Sequence, residues 1–210
     1  MSDKVSMVTG ATGFVRSHLL SVLLEQGEVV ASDISGPTHD LEEVLGRIKF
    51  ERTDIGSFSE VLRLVEKYKP TTIYWIGAMR GPQCDERPAA IYGRPYAIYV
   101  APRSRVPIIH VKDAVRALIE LAAAPADAIK TVNYNVLGPT PTPSAQELVD
   151  TVKAKIPAAA LKFEINEDFQ KLLDTNIVKP FDDSRARSEW GWKSRLNLDA
   201  IVEDFIANKT

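Results

Sequence analysis

Two glycines and one carboxylate near the start of the chain have residue types and spacing suited to binding a nucleotide. Gly10 and Gly13 follow an apolar, β-branched run and precede a helical pattern, in VSMVTGATGFVRSHLL. Amide groups of such a turn and of the first helical turn point outward at the positive end of the helix dipole, where phosphate binds. Asp33 ends the next predicted strand, where a carboxylate can accept hydrogen bonds from ribose hydroxyls.

These residues favour NAD over NADP as the ligand, because a 2′-phosphate would meet the like charge of Asp33. The simpler interpretation is that the glycines only turn the chain and Asp33 only solvates a loop. The order of strand, glycine turn, helix, strand and carboxylate favours a dinucleotide site.

Arg16 departs from the motif, because a third glycine is expected at this position. That glycine normally lets the helix approach its strand closely. The arginine could form a charge-assisted hydrogen bond with an anion, or it could weaken or block cofactor binding. The sequence favours the second interpretation.

Strands alternate with helices through the first third of the chain, which predicts a parallel sheet with right-handed crossovers. The predicted strands are Lys4–Thr9, Glu28–Ser32, Ile48–Arg52 and Thr71–Ile76, and the helices are Phe14–Gln26, Leu41–Gly46 and Ser57–Tyr68. The last helix is expected to begin with a capping box of Ser57 and Glu60.

The pattern weakens from Arg80 to Arg94, which reads as a connector with two prolines and two glycines. Beyond it we expect extended segments at Tyr96–Val100, Val106–His110, Val132–Val136 and Leu161–Ile165. Helices are expected after an N-cap at Asp113, after a capping box of Ser144 and Glu147, and over Asp168–Leu173, Ser184–Glu189 and Leu198–Ala207.

Composition limits the classes of function. The 210 residues are 45% apolar and 26% charged, which is typical of a globular protein. A net charge of −2 gives no broad basic surface, so neither nucleic acid nor a membrane is expected as a partner. Cys84 is the single cysteine, so no internal disulfide can form and we expect a cytoplasmic protein. His18 and His39 suggest no metal site, so no bound metal is expected. We also expect neither a signal peptide nor a membrane anchor.

Several segments resemble one known family. VTGATGFV, Asp33, the Asp54–Ile55 pair and IYWIGA together resemble the extended short-chain dehydrogenases, the NAD-dependent epimerase/dehydratase family. GRPYAIYVAPRSRVPIIHVKDAVRALIEL and DDSRARSEWGW are similar to segments of its L-threonine 3-dehydrogenase branch. The resemblance implies an α/β fold with a reduced Rossmann-like parallel sheet of order 3-2-1-4 and a small α/β C-terminal subdomain. The corresponding domains are residues 1–94, a truncated dinucleotide-binding domain, and 95–210, a substrate-side segment.

The same resemblance implies an NAD site. Asp33 would hold the adenosine ribose, Asp54 and Ile55 would contact the adenine, and the residues along the pyrophosphate would include Arg16. The remaining cofactor-binding residues implied are Gly10, Gly13, Phe14 and Val15 at the pyrophosphate, and Gly77 and Ala78 beside the ribose.

The family's catalytic pair is absent from these 210 residues. That pair is Tyr-x-x-x-Lys, a spacing that puts both side chains on one helix face so that the lysine lowers the tyrosine pKa. No tyrosine here has lysine four residues later, and the connector is far shorter than the family's, so the chain resembles an internally deleted member. The substitute acid or base candidates are Tyr92, Tyr96, Tyr99 and His110, whereas Cys84, Asp85 and Glu86 read as a solvated loop.

Two hypotheses of function follow from these features. The first is an NAD-dependent oxidoreductase or epimerase-type enzyme acting on a small polar substrate. The second is a non-catalytic or repurposed relative that binds a nucleotide, another ligand or a protein partner. A different activity evolved on the same scaffold is a third possibility.

The apolar edge strand TTIYWI also needs a cover, from Val106–His110 or from a second subunit in a homo-oligomer.

Overall fold

The computed structural model describes residues 4–13, 15–76, 94–105, 107–177 and 181–207. The chain divides into two compact units, Met1–Gly81 and Pro82–Thr210. Each unit has its own hydrophobic core. The expected domain boundary after Arg94 stays a prediction.

The first unit contains a parallel four-stranded sheet. Its strands are β1 (Val5–Thr9), β2 (Glu28–Asp33), β3 (Lys49–Arg52) and β4 (Thr72–Trp75), in the order β3-β2-β1-β4. This confirms the predicted α/β, Rossmann-like class and the strand order 3-2-1-4. Thr9 lies opposite both Ser32 and Trp75, and Asp33 lies opposite Arg52, so the carboxyl ends of all four strands meet at one edge.

Three helices accompany this sheet: α1 (Arg16–Leu24), α2 (Glu42–Leu45), which follows a 3₁₀ turn at His39–Leu41, and α3 (Phe58–Tyr68). Leu64 of α3 packs on Met7 and Val30 of the two central strands. Most residues of β1 and β2 are buried, as expected for the central strands of a parallel sheet. The sheet therefore holds the glycine turn and the end of β2 on a rigid base.

The predicted capping box at the start of α3 is wrong. Ser57 makes no side-chain cap hydrogen bond. The Glu60 carboxylate accepts from the Asp54 amide at 2.9 Å instead. The spacing of Ser57 and Glu60 fits a capping box, but the Glu60 carboxylate is occupied by the backbone amide of the preceding loop instead of the Ser57 amide.

The two outer strands differ in chemistry. Glu51 of β3 accepts hydrogen bonds from Lys67 and Tyr68 of α3, and the Lys49 ammonium lies 2.8 Å from Glu28, so this edge is charged. Within the described residues β4 pairs with β1 alone, and its Trp75 side chain is 54% exposed. Residues 107–110 are not part of a strand, so the expectation of a covering strand at Val106–His110 is not met there.

The second unit is a small α/β body, as predicted. Its strands β5 (Tyr96–Ile98) and β6 (Leu161–Phe163) pair in parallel. Its helices are α4 (Val111–Ala123), α5 (Ala145–Lys155), α6 (Glu167–Leu172), α7 (Ser184–Trp190) and α8 (Leu198–Ala207), and α6 continues into a π-helical turn at Leu173–Ile177. The core gathers around the fully buried Trp192 with Ala117 and Ala186.

Two predictions for this unit are wrong. Val132–Val136 is not a strand, and the Val132 side chain is 96% exposed, while Tyr134 packs against the Trp192 cluster. Asp113 does not cap α4, because the helix begins at Val111 with His110 as its N-cap. The capping box of Ser144 and Glu147 at the start of α5 is confirmed in both of its hydrogen bonds.

Candidate nucleotide site

The turn after β1 has backbone geometry that requires glycine. Gly10 has a φ of 69°, in the left-handed region that glycine adopts without strain. The Gly13 amide donates to the Gly10 carbonyl at 3.1 Å, and a Cβ added at Gly13 would lie 3.3 Å from that same oxygen. The Ala11 amide donates to Ser32 at 3.0 Å, which fastens the turn to the end of β2.

Helix α1 starts directly after this turn without a side-chain cap. Val15 occupies the N-cap position and makes no side-chain hydrogen bond, and the first turn contains no acidic residue. The partial positive charge at this helix end is therefore not balanced by a capping side chain, which suits an anionic ligand.

Asp33 lies at the carboxyl end of β2 and bonds directly to the glycine turn. Its Oδ2 accepts from the Thr12 amide at 2.9 Å and from the Thr12 hydroxyl at 2.8 Å, and its Oδ1 accepts from the Ser35 amide at 3.0 Å. Burial raises the pKa of Asp33, but the hydrogen bonds from Ser35 and Thr12 outweigh that effect and hold the pKa below its ordinary value. The half-buried carboxylate is thus ionised at neutral pH and accepts hydrogen bonds at this edge.

The second acidic position predicted for the site lies on the neighbouring strand end. The Thr53 amide donates to the Asp33 carbonyl at 2.8 Å, which extends the sheet by one residue and places Asp54 next along this edge. Asp54 is exposed, Ile55 is half-buried, and the Asp54 carboxylate accepts from the Gly56 amide at 2.8 Å. The structure thus brings together the predicted residues of the glycine turn, β2 and β3, whereas Phe14, Gly77 and Ala78 lie outside the described residues.

Arg16 is buried, with 3% of its surface exposed. Its Nη1 donates to the Ala11 carbonyl at 3.0 Å and to the Thr38 hydroxyl at 3.1 Å. The sequence motif did not point to Thr12 or Thr38, although both carry a hydroxyl beside a predicted site residue. Their contacts join the glycine turn to the loop that follows β2.

Three buried hydroxyls lie on one face of the sheet at the same edge. In-register pairing puts Thr9 beside Ser32, and the alternation of side chains along β3 puts Thr53 on that face too. None of the three hydroxyls has a hydrogen-bond partner in the part of the chain described. Buried polar groups are normally satisfied by protein, water or ligand, so this edge provides hydrogen-bonding groups that fit a polar ligand or ordered water.

The candidate acids and bases all belong to the second unit. Tyr92 lies outside the described residues, Tyr96 is half-buried on β5, and the Tyr99 side chain is 50% exposed. His110 is buried: its Nδ1 accepts from the Lys112 amide at 3.2 Å, and its Nε2 lies 3.3 Å from the Asp204 carboxylate. His110 therefore has a structural role, because it caps α4 and contacts Asp204 of α8.

The Asp113 carboxylate accepts hydrogen bonds from four residues of the second unit. Its Oδ2 accepts from the Ser194 hydroxyl and from the Arg195 and Leu196 amides at 2.8–3.1 Å, and its Oδ1 accepts from Arg116 at 2.9 Å. These bonds tie α4 to the segment before α8, which makes Asp113 a structural residue that sequence spacing could not reveal.

Across the five described ranges, no group of three His, Cys, Asp or Glu side chains is placed to hold a metal ion. None of the helices in these ranges is long and apolar enough to cross a membrane.

The sequence matches a known family over its first part. Residues 6–100 match the NAD dependent epimerase/dehydratase family. These residues include the glycine turn, Asp33 and the Asp54–Ile55 pair, so the resemblance indicated by the motifs is confirmed.

The curated relatives include two mammalian enzymes. The mitochondrial L-threonine 3-dehydrogenases of Bos taurus and Sus scrofa are 32% and 34% identical over 105 residues, which is 50% of this chain. The match covers 27% of the length of each of these enzymes. The chain therefore corresponds to well under half of the relatives it matches.

Solved structures show the same fold. The GalE-like L-threonine dehydrogenase from Cupriavidus necator, in its holo form, superposes with a TM-score of 0.83, covering 99% of this chain and 100% of the other. Sequence identity between the two is 18%, so the likeness is one of fold.

Proposed function

We propose that this chain, whose residues 6–100 match the NAD-dependent epimerase/dehydratase family, binds NAD and acts as an oxidoreductase or epimerase-type enzyme on a small polar substrate. The proposal rests mainly on the two hydrogen bonds that Thr12 donates to Asp33. They hold an ionised carboxylate beside the glycine turn, at the edge of the sheet where the strands end. Dinucleotides bind at this edge in open α/β sheets.

We assign the pyrophosphate and adenosine parts of the dinucleotide to residues of the first unit. The glycine turn and the uncapped start of α1 would hold the pyrophosphate, with Gly10, Gly13 and Val15 along it. Asp33 would accept hydrogen bonds from the adenosine ribose, and its charge would disfavour the 2′-phosphate of NADP. Asp54 and Ile55 would border the adenine, with Gly77 and Ala78 beside the ribose. The nicotinamide, when bound, supplies a hydride acceptor.

Catalysis would require an acid or base other than the family's pair. No tyrosine in the 210 residues is followed by lysine at the fourth position, and we propose that the chain is an internally deleted relative. Tyr92, Tyr96 and Tyr99 are the candidates with a phenol, and the exposed Tyr99 side chain is the most accessible of those described. His110 ranks below them because both of its ring nitrogens have partners.

The curated relatives suggest which substrates to test. Because they are named as L-threonine 3-dehydrogenases, we propose L-threonine or a related 3-hydroxy acid as the substrate. Reduction of NAD, followed by NADH absorbance, tests this, with Tyr99→Phe as the variant and the buried Tyr74→Phe as its control. Turnover that falls in Tyr99→Phe alone supports the enzyme, and no turnover across a panel of 3-hydroxy acids counts against it.

The alternative is a non-catalytic or repurposed relative that binds a nucleotide, another ligand or a protein partner. The missing Tyr-x-x-x-Lys pair favours it. Saturable NAD binding without turnover supports this alternative, and steady turnover excludes it. A cytoplasmic location stays a prediction under either hypothesis.

A homo-oligomer is a further part of the proposal. The β4 edge carries Ile73 and Trp75, 44% and 54% exposed, and no charged residue, so a second copy could cover it. Sedimentation of the chain and of Ile73→Lys tests this. A dimer that dissociates in the variant supports it, and a monomer at all concentrations contradicts it.

A further inference from the structure

We propose that Arg16, in the place of the motif's third glycine, is a positioning residue that fastens the glycine turn to the loop after β2 and so maintains the NAD site. The inference rests on the proposed function, because NAD is the ligand whose binding it would support. It opposes the interpretation that Arg16 blocks the cofactor.

The Arg16 side chain is part of the protein's own packing. Arg16 is only 3% exposed, and its Nη1 donates to two acceptors of the same unit. A guanidinium that is buried and hydrogen-bonded in this way supports the local structure of the turn.

The contacts of Arg16 span two separate segments of the chain. Nη1 donates to the Ala11 carbonyl in the glycine turn and to the Thr38 hydroxyl in the loop, at 3.0 and 3.1 Å. A guanidinium presents several donors in a fixed plane, so one arginine can hold two acceptors at a defined separation. A glycine at position 16 would remove both hydrogen bonds.

Asp33 joins the same two segments from another point. It accepts from Thr12 in the turn and from the Ser35 amide in the loop. Arg52 adds a third attachment by donating from Nε to the Ile34 carbonyl at 2.9 Å. The loop from Ile34 to Thr38 is thus held at both ends, and Arg16 holds the end farther from β2.

This arrangement predicts an effect on the cofactor. The turn would hold the pyrophosphate, and the start of the loop would border the adenosine ribose. Binding both groups at once requires the two segments to keep their separation, and Arg16 fixes that separation. Restoring the motif glycine would therefore weaken NAD binding.

The test uses four forms of the whole chain besides the native one. Arg16→Gly restores the motif glycine, Arg16→Lys keeps the charge without the planar fork, and Thr38→Val removes the hydroxyl with little change in volume. Arg47→Gly is the matched control, because it removes an exposed arginine from a turn of the same unit. NAD affinity is measured by calorimetry, and hydrogen exchange of the Thr12, Gly13, Ser35 and Leu41 amides is measured without NAD.

The expected result is an NAD dissociation constant raised about tenfold in Arg16→Gly, the equivalent of one charge-assisted hydrogen bond. Thr38→Val should show a smaller rise, Arg16→Lys should recover part of the loss, and Arg47→Gly should match the native chain. Amide exchange should quicken in Arg16→Gly and in Thr38→Val. Should Arg16→Gly fail to fold, Thr38→Val carries both measurements.

Other outcomes separate this inference from the proposed function. NAD binding to Arg16→Gly as tightly as to the native chain, or more tightly, would overturn the inference and favour a blocking role. If neither form binds NAD, the proposed function fails, and amide exchange alone decides whether Arg16 fastens the two segments. Unchanged exchange in Arg16→Gly and Thr38→Val would then overturn the inference as well.

Discussion

Asp33 accepts two hydrogen bonds from Thr12, one from its backbone amide at 2.9 Å and one from its hydroxyl at 2.8 Å. The end of β2 and the glycine turn are therefore one connected structure. A ligand that bridges ribose and phosphate groups would contact both parts of it.

Neutralising Asp33 should weaken NAD binding and reduce the preference for NAD over NADP. Asp33→Asn removes a charged acceptor, and a hydrogen bond to a charged group contributes about 1.5–3 kcal/mol, so the NAD dissociation constant should rise about tenfold or more. The affinity for NADP should fall less, because the variant no longer repels a 2′-phosphate.

Calorimetry with both cofactors measures this, and Glu43→Gln, which neutralises an exposed carboxylate of α2, is the control. Equal NAD affinity in Asp33→Asn and in the native chain would remove Asp33 from the site.

Removing the serine of each predicted capping box should lower the stability of the protein by different amounts. Ser144→Ala breaks a cap that the structure shows to be formed, and the free energy of unfolding should fall by about 1 kcal/mol. Ser57→Ala changes a serine without a cap bond, and the loss should stay within about 0.5 kcal/mol. Urea unfolding followed by circular dichroism compares them. Equal losses would contradict the conclusion that Ser144 caps its helix and Ser57 does not.

Asp113 should make the second unit sensitive to acid. Burial raises the pKa of Asp113, but hydrogen bonds from Ser194, Arg116, Leu196 and Arg195 outweigh it and lower the pKa below its ordinary value of 3.8. A lowered folded-state pKa contributes stability above the unfolded value, and that stability is lost as the pH falls through the folded value.

The difference in unfolding free energy between the native chain and Asp113→Asn should thus be constant near neutral pH and shrink below about pH 4. Urea unfolding from pH 3 to 7 measures it, with the exposed Asp127→Asn as control. A difference that grows on acidification would contradict the assignment.

Replacing the buried Trp192 should cost more stability than replacing the exposed Trp75. Trp192 is fully buried, its Nε1 donates to the Leu137 carbonyl at 3.2 Å, and the Arg116 guanidinium lies 4.4 Å from its ring centroid. Trp192→Phe loses the hydrogen bond and leaves a cavity, which should lower the free energy of unfolding by about 2 kcal/mol.

The exposed Trp75→Phe should change the free energy of unfolding by less than about 0.5 kcal/mol. Thermal unfolding of both variants tests this pair. A greater loss in Trp75→Phe would show that the β4 edge, rather than the Trp192 cluster, is the better packed of the two.

The sequence predicted features that depend on short-range patterns. Apolar β-branched runs predicted the strands of the sheet, the family resemblance predicted their order, and Ser144 with Glu147 predicted a capping box that is formed. Features that depend on distant partners were missed. Asp113 was predicted to cap a helix because its true partners, residues 194–196, lie about 80 residues away in the sequence. Val132–Val136 was predicted to be a strand from its local pattern, but no described strand pairs with it.

The candidate site shows the same division. The turn at Gly10 and Gly13 and the position of Asp33 at a strand end could be predicted because local sequence imposes them. The contacts of Arg16 could not, because Thr38, 22 residues further on, receives its hydrogen bond. A side chain in an unexpected motif position can be interpreted only once its acceptors are known.

Calorimetric titration of the native chain with NAD decides whether this chain binds the cofactor. We expect saturable binding of one NAD per chain, weakened in Asp33→Asn and weaker for NADP than for NAD. No binding of NAD at millimolar concentration to a chain shown to be folded by circular dichroism would contradict it.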